Sequence, residues 1–166
     1  MISSLPYKES SSPARLKLDK QFQPCLVEPG DEHFCNGIFC FNISRILAYM
    51  DTEIERFPVE FIALATILDY GGSAGLDETT VCSADLSRPI LLAEISPGRY
   101  NLIDGNHRVA KARRDRVTTV PARRIDCPLH VPFLTSTLAY VKYIEYWNSK
   151  VKEMQPAKAR SLRRRA

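Results

Sequence analysis

The sequence predicts an α/β (α+β) domain, a compact mixed sheet with flanking helices, and three stretches carry that expectation. Residues 89–95 and 99–104 are apolar, strand-like runs joined by Ser96-Pro97-Gly98, whose proline and glycine suit a tight turn, so the pair reads as a hairpin. Residues 109–116 are dense in good helix formers, and residues 117–125 alternate as a strand returning to the same sheet. Val131, Leu134, Leu138, Val141, Ile144, Trp147 and Val151 recur at spacings of three and four, which predicts an amphipathic helix from 131 to about 153.

Taken in order, residues 1–30 hold Pro6, Pro13, Pro24, Pro29 and the cluster Ser10, Ser11, Ser12 without apolar periodicity, and read as a flexible N-terminal arm. A domain over 31–155 and a basic tail over 156–166 complete the division. From Gly37 onward, Ile38, Phe39 and Phe41 indicate a strand. Val59 to Tyr70 fits a buried strand and a short helix equally well, and Gly71, Gly72 and Gly75 then mark a flexible loop. In the hairpin, pairing Ile95 with Arg99 sets Asp104 opposite Ile90. Glu94 then lies roughly 13 Å along the strand from that point, too far to share a site with Asp104, whereas Asp85 and Arg88 enter at the right end. Asn106 is placed to cap the following helix. The aromatic residues Tyr140, Tyr143, Tyr146 and Trp147 fit core packing better than base stacking.

Charge is unevenly distributed. The total is +4 over 166 residues, but residues 156–166 hold five basic residues and no acid, and residues 105–124 hold seven basic residues and one acid, which leaves −7 for the rest. An acidic body with two positive segments is the asymmetry expected of a protein that meets phosphate-rich partners. With 45% apolar residues the chain suffices for one core. No apolar run approaches the roughly 20 residues of a membrane span. The longest, Phe57 to Tyr70, is broken by Glu60 and Asp69. The start lacks the apolar core of a secretion signal, so a cytoplasmic protein is expected. Five cysteines at irregular spacing, Cys25, Cys35, Cys40, Cys82 and Cys127, suit free thiols in a reducing compartment. His33 with Cys25, Cys35 and Cys40 could be assembled into a zinc site, but neither Cys-x-x-Cys nor His-x-x-x-His is present, and thiols are preferred.

The chemistry concentrates between the second hairpin strand and the helix after it. Asp104-Gly105-Asn106-His107-Arg108 sets a carboxylate, a glycine and an amide at a helix N-terminus. First-turn amides there have no intrahelical acceptors, and the helix dipole favours an anion. Gly105 permits close approach of the backbone, Arg108 adds a charged donor, and Lys111 follows one turn later. His107 can exchange a proton near neutral pH, and Asp104 can hold Mg²⁺ or Mn²⁺ or act as a base. An ordinary capped helix would account for the same five residues.

In the setting of Arg88-Pro89-Ile-Leu-Leu, Tyr100-Asn-Leu-Ile-Asp-Gly-Asn-His-Arg-Val-Ala-Lys-Ala112 and Val117-Thr-Thr-Val-Pro-Ala-Arg123, the loop resembles the ParB/sulfiredoxin superfamily. The resemblance implies a small α/β domain that seats nucleotide phosphates on Gly105, Asn106, His107 and Arg108. Sulfiredoxins carry their catalytic cysteine where this chain has Asn106, so sulfinic acid repair is not expected. Segregation ParB proteins have a Gly-Glu-Arg-Arg type loop and continue into further domains, whereas 40 residues follow Asp126 here. Free-serine kinases of the superfamily are closer in motif. ParB-like nuclease and ATPase domains, including plasmid fertility-inhibition proteins acting on DNA during conjugation, are closer in size and basic character.

Three functions compete. The first is a ParB-like protein that binds and hydrolyses ATP and cleaves DNA with a metal ion. In it Asp104 and His107 are catalytic, and Asp104 holds the metal. Gly105, Asn106, Arg108, Lys111 and Arg88 bind the nucleotide. Arg113, Arg114, Arg116, Arg123, Arg124, Arg163, Arg164 and Arg165 grip the DNA backbone. The second is a small-molecule kinase of the serine kinase type, with Glu60, Asp69 or Asp85 as base. A basic tail has no use in a kinase. The third is a DNA- or partner-binding regulator switched by nucleotide without turnover.

Overall fold

The computed structural model of the chain describes residues 13–67 and 75–154. Strand β1 (His33–Asn36) pairs antiparallel with β2 (Phe39–Asn42). Helix α1 (Ile43–Thr52) follows directly, started by the Asn42 side chain, which accepts from the Arg45 amide at 3.0 Å. Strand β3 (Glu60–Ala63) runs into a 3-10 turn at Leu64–Thr66. The short helix α2 (Glu78–Ser83) is capped by Asp77, which accepts from the Thr80 amide at 2.7 Å. Strands β4 (Ile90–Ser96) and β5 (Arg99–Asp104), helix α3 (Asn106–Arg114), strand β6 (Thr119–Ile125), a 3-10 turn at Val131–Phe133 and helix α4 (Thr137–Met154) complete the described chain.

The larger sheet is mixed, as the sequence predicts. Its order is β3-β6-β4-β5, with β4 and β6 parallel and the other neighbours antiparallel. Side chains alternate across a strand, so central β4 feeds two cores. Leu91, Ala93 and Ile95 join the core under α1 and α4, and Ile90 and Leu92 join Val109, Ala112, Val120 and Ala122 under α3. Burial on both faces explains why residues 90–95 read as a nearly continuous apolar run. Tyr140, Tyr143, Ile144, Trp147 and Val151 form the stripe that α4 buries.

Several expectations are corrected. In the hairpin Ser96 faces Arg99 and Leu91 faces Asp104, one residue away from the expected register. The loop is only Pro97-Gly98, with Gly98 at φ 71°, and the β4–β5 pairing is irregular at two points. Helix 131–153 begins later, at Thr137, because Leu134 is extended after the 3-10 turn and Phe41 bridges to it. Leu138 is therefore exposed, not buried. The stretch from Val59 divides into β3 and a 3-10 turn, with Asp69, Gly71 and Gly72 outside the described residues. The arm, from Pro13 on, is irregular but docked. The Trp147 indole donates to Ala14 O at 2.9 Å, Asn148 exchanges two bonds with the Leu16 backbone, and Phe22 stacks on Tyr140 at 3.8 Å. Ser10, Ser11 and Ser12 lie outside the described residues, as does the 156–166 tail.

The thiol expectation is corrected as well. Cys35 and Cys40 are disulfide-bonded, while Cys25, Cys82 and Cys127 are free. A two-residue turn at Gly37-Ile38 makes Cys35 and Cys40 facing partners of β1 and β2, a pairing that counting cysteines does not reveal. Among the described residues no helix is long and apolar enough to cross a membrane.

Candidate functional site

Strand β5 ends on Asp104, and Gly105 turns the chain into α3 with φ 101°. A Cβ at Gly105 would sit 2.6 Å from Ile90 Cγ2 and 3.0 Å from Arg108 Nη2, so both conformation and space require glycine here. Helix α3 starts at Asn106, with Gly105 and not Asn106 at the capping position and no side-chain cap. The first α3 bond runs from the Val109 amide to Gly105 O at 2.9 Å. The amides of Asn106, His107 and Arg108 precede it and find no acceptor among the described residues.

These amides border a cleft of about 730 Å³. Asp104 to Arg108 and Arg88 line one part of it. Leu76, Thr80, Ser83 and Asp85 line another, and Asp31 to Phe34, Ile43 and Leu47 a third. Arg108 Nη2 donates to Asp104 Oδ2 at 2.8 Å, and both side chains are largely buried, at 13% and 21% exposure. Arg108 Nε is buried without a partner, a cost that a bound acceptor would relieve. Asp85 accepts from the Ser87 hydroxyl at 2.6 Å and from its amide at 2.9 Å. Those bonds, with Arg88 and Arg108 nearby, hold its carboxyl below the usual range. Thr80 does the same for Asp77, with a smaller contribution from His107. The carboxylates of Asp31, Glu32, Asp85 and Asp104 thus share the cleft with two arginines and two histidines.

The expected nucleotide set converges in part. Arg88, Asp104, Gly105, Asn106, His107 and Arg108 line one cleft, but Lys111 does not line it and pairs with Asp115 at 2.8 Å. Of the three acids offered as a base, only Asp85 lies in the cleft. Glu60 on β3 pairs with Arg124 at 2.8 Å, and Asp69 is outside the described residues. The expected DNA set disperses. Arg123 is not a surface residue: it is 8% exposed, and its guanidinium donates to Phe57 O, Met50 O and Asp51. Arg114 pairs with Glu78 at 2.6 Å, and Arg113 donates to Ile67 O at 3.2 Å. Arg116 and Arg124 are exposed, and Arg163, Arg164 and Arg165 fall outside the described residues.

The walls from Asp31 to Phe34, Leu47, Leu76 and Thr80 are absent from the sequence reading. Asn42 and Asp77, each a capping residue before a helix, are the local signals that locate these elements, but no local signal shows that they meet the Asp104–Arg108 loop. Among the described residues no group of three His, Cys, Asp or Glu is arranged to hold a metal ion. A divalent ion at this cleft would therefore rely on one or two carboxylates together with a ligand's phosphates, as Mg²⁺ commonly does. No family model, curated protein or solved structure matches the chain.

Proposed function

We propose that the cleft binds a nucleoside triphosphate, with ATP as the first candidate, and that the protein hydrolyses or transfers its terminal phosphate. The observation that carries this is the start of α3: three unaccepted amides beside a glycine that nothing larger can replace, next to the buried and unpartnered Nε of Arg108. Amides and guanidinium together form a donor set for phosphate oxygens. Arg88 adds charge, and the apolar side chains of Phe34, Leu47 and Leu76 offer a surface for a base. The resemblance of residues 88–123 to the ParB/sulfiredoxin superfamily supports the same assignment.

Mg²⁺ or Mn²⁺, held by the phosphates and Asp104, would neutralise charge on the transferred group. His107, in the first turn of α3, lines the cleft beside these amides and would be the proton donor or acceptor there. Asp85, ionised and fixed by Ser87, would hold and orient an attacking hydroxyl through its remaining oxygen. The donors of the cleft are confined to Arg88, Arg108 and the amides that open α3, which suits one phosphate-bearing ligand and a small acceptor or water better than the extended backbone of a DNA strand. Transfer to a small hydroxyl compound is accordingly placed ahead of DNA cleavage.

The test is phosphate release from ATP by the full chain with Mg²⁺ or Mn²⁺. Turnover is expected, falling about 100-fold or more in His107→Ala and in Asp104→Asn. Binding without turnover would favour the nucleotide-switched regulator, and metal-dependent nicking of a supercoiled plasmid that Asp104→Asn abolishes would favour the nuclease. Equal turnover in wild type and both variants would contradict the proposal.

A further inference from the structure

The side of the large sheet that carries Ile62 and Leu92 is covered by α3 only in part. Near the Pro97-Gly98 turn it opens into a groove of about 330 Å³, and a second groove of about 430 Å³ lies by the C-terminal end of α3. The two share Ile67. Arg99 and Arg124 line the first, Arg113 and Arg116 line the second, and no Asp or Glu is among the described residues that line either. This is the reverse of the cleft, where carboxylates outnumber arginines. The protein thus separates a mixed, acid-rich cleft from a strip of two adjoining grooves lined by arginines and apolar residues, with Glu60 and Asp126 held beside the first on Arg124 and Tyr100.

The strip also carries a stacking platform. The Arg124 guanidinium lies over the Tyr100 ring, 5.0 Å from its centroid, and its Nε is braced by Glu60 at 2.8 Å. The Tyr100 hydroxyl is tied to Asp126, which fixes the ring from its other end. A braced guanidinium on a braced ring presents a flat surface of the kind on which nucleobases stack. We propose that this strip binds single-stranded nucleic acid, with bases at Tyr100 and Arg124 and phosphates along Arg99 and Arg116. A duplex hides the faces of its bases from such a platform, and an acidic peptide has nothing to stack on it. This surface is independent of the nucleotide cleft.

The experiment is fluorescence anisotropy of a labelled twelve-nucleotide oligo-dT with the full chain, repeated across salt concentrations. Binding is expected to weaken with salt at a log–log slope of about −1.4 to −2, as for two or three phosphate contacts. The double variant Arg99→Ala/Arg116→Ala should flatten the slope by about 1.4, and Tyr100→Leu should weaken binding about tenfold at unchanged slope. Both should leave ATP turnover as in the wild type, with thermal unfolding confirming that they fold. Four results would overturn the proposal: no binding of the oligonucleotide, binding that both variants retain in full, a duplex of equal length bound as tightly, or displacement of the oligonucleotide by poly-glutamate at equal charge concentration.

Discussion

Arg123 and Arg124 are adjacent and identical in type, yet their environments set them to different tasks. On β6 successive side chains leave opposite faces of the sheet, so one guanidinium enters the core under α1 while the other reaches the solvent-facing strip. Inside, Arg123 closes the C-terminal end of α1 by donating to Met50 O at 2.8 Å, and holds the following loop through Phe57 O at 3.1 Å. Carbonyls at a helix end lack intrahelical donors, and a cation there also meets the negative end of the dipole. Truncating Arg123 strands the buried Phe57 O, leaves Met50 O with only the Glu53 amide at 3.3 Å, and removes the partner of Asp51. Arg123→Ala should therefore cost about 3 kcal/mol of stability, whereas Arg124→Ala, which removes an exposed ion pair, should cost about 1 kcal/mol or less. Urea unfolding of the two variants measures the difference, and equal losses would contradict the assignment of Arg123 to the core. The strand prediction for 117–125 already implied that the two arginines diverge, but a run of like charges masks that alternation.

At the scale of elements, what the sequence shows depends on whether the signal is local. The hairpin, α3 and β6 are visible because each is framed by its own punctuation: Pro97 and Gly98 at the turn, Gly105 before the helix, and an apolar alternation after it. The hairpin register is not, since the irregularities in the β4–β5 pairing arise from packing and not from the turn residues. The α4 stripe is legible from Tyr140 to Val151, but the pattern also absorbs Val131 and Leu134, which are buried for another reason, in the turn that faces β2. Helix α1 does carry a period, with Ile43, Ile46, Leu47 and Met50 at spacings of three and four behind the cap Asn42, whereas α2 is short and begins on Asp77 with few apolar positions to set one. Half of the candidate site shares that obscurity. The Asp104–Arg108 loop is contiguous and readable, whereas the walls from the β1–β2 hairpin and α2 reach it through tertiary contact alone. The disulfide belongs to the same class, because it depends on a register that the spacing of five residues permits but does not specify.

For the molecule as a whole, charge and pH connect fold to function. The +6 segment around residues 105–124 does not act as one patch. It divides into a loop at the cleft, a core arginine, internally paired residues on α3 and an exposed strip. One buried group ties stability to pH. His130 is fully buried, with Nε2 2.6 Å from Glu94 O and Nδ1 unpartnered, so the ring is neutral and donates through Nε2. Burial pushes its pKa down to about 4, against 6.5 in the unfolded chain. The unfolded state therefore takes up the proton first as pH falls. The stabilisation from a neutral His130 is complete above pH 6.5 and declines as pH drops toward 4, by about 2 kcal/mol at pH 5. Urea midpoints at pH 7 and pH 5 should differ accordingly in the wild type and much less in His130→Gln; an equal drop in both would refute the role of His130.

Phosphate bound on the amides that open α3 would register in an NMR titration of the ¹⁵N-labelled full chain with ATP and Mg²⁺. The amide resonances of Gly105, Asn106, His107 and Arg108 should shift together and saturably, with the shifts lost in Arg88→Ala/Arg108→Gln. Saturable binding of ATP that leaves those four amides unmoved, or no binding at all, would contradict the account.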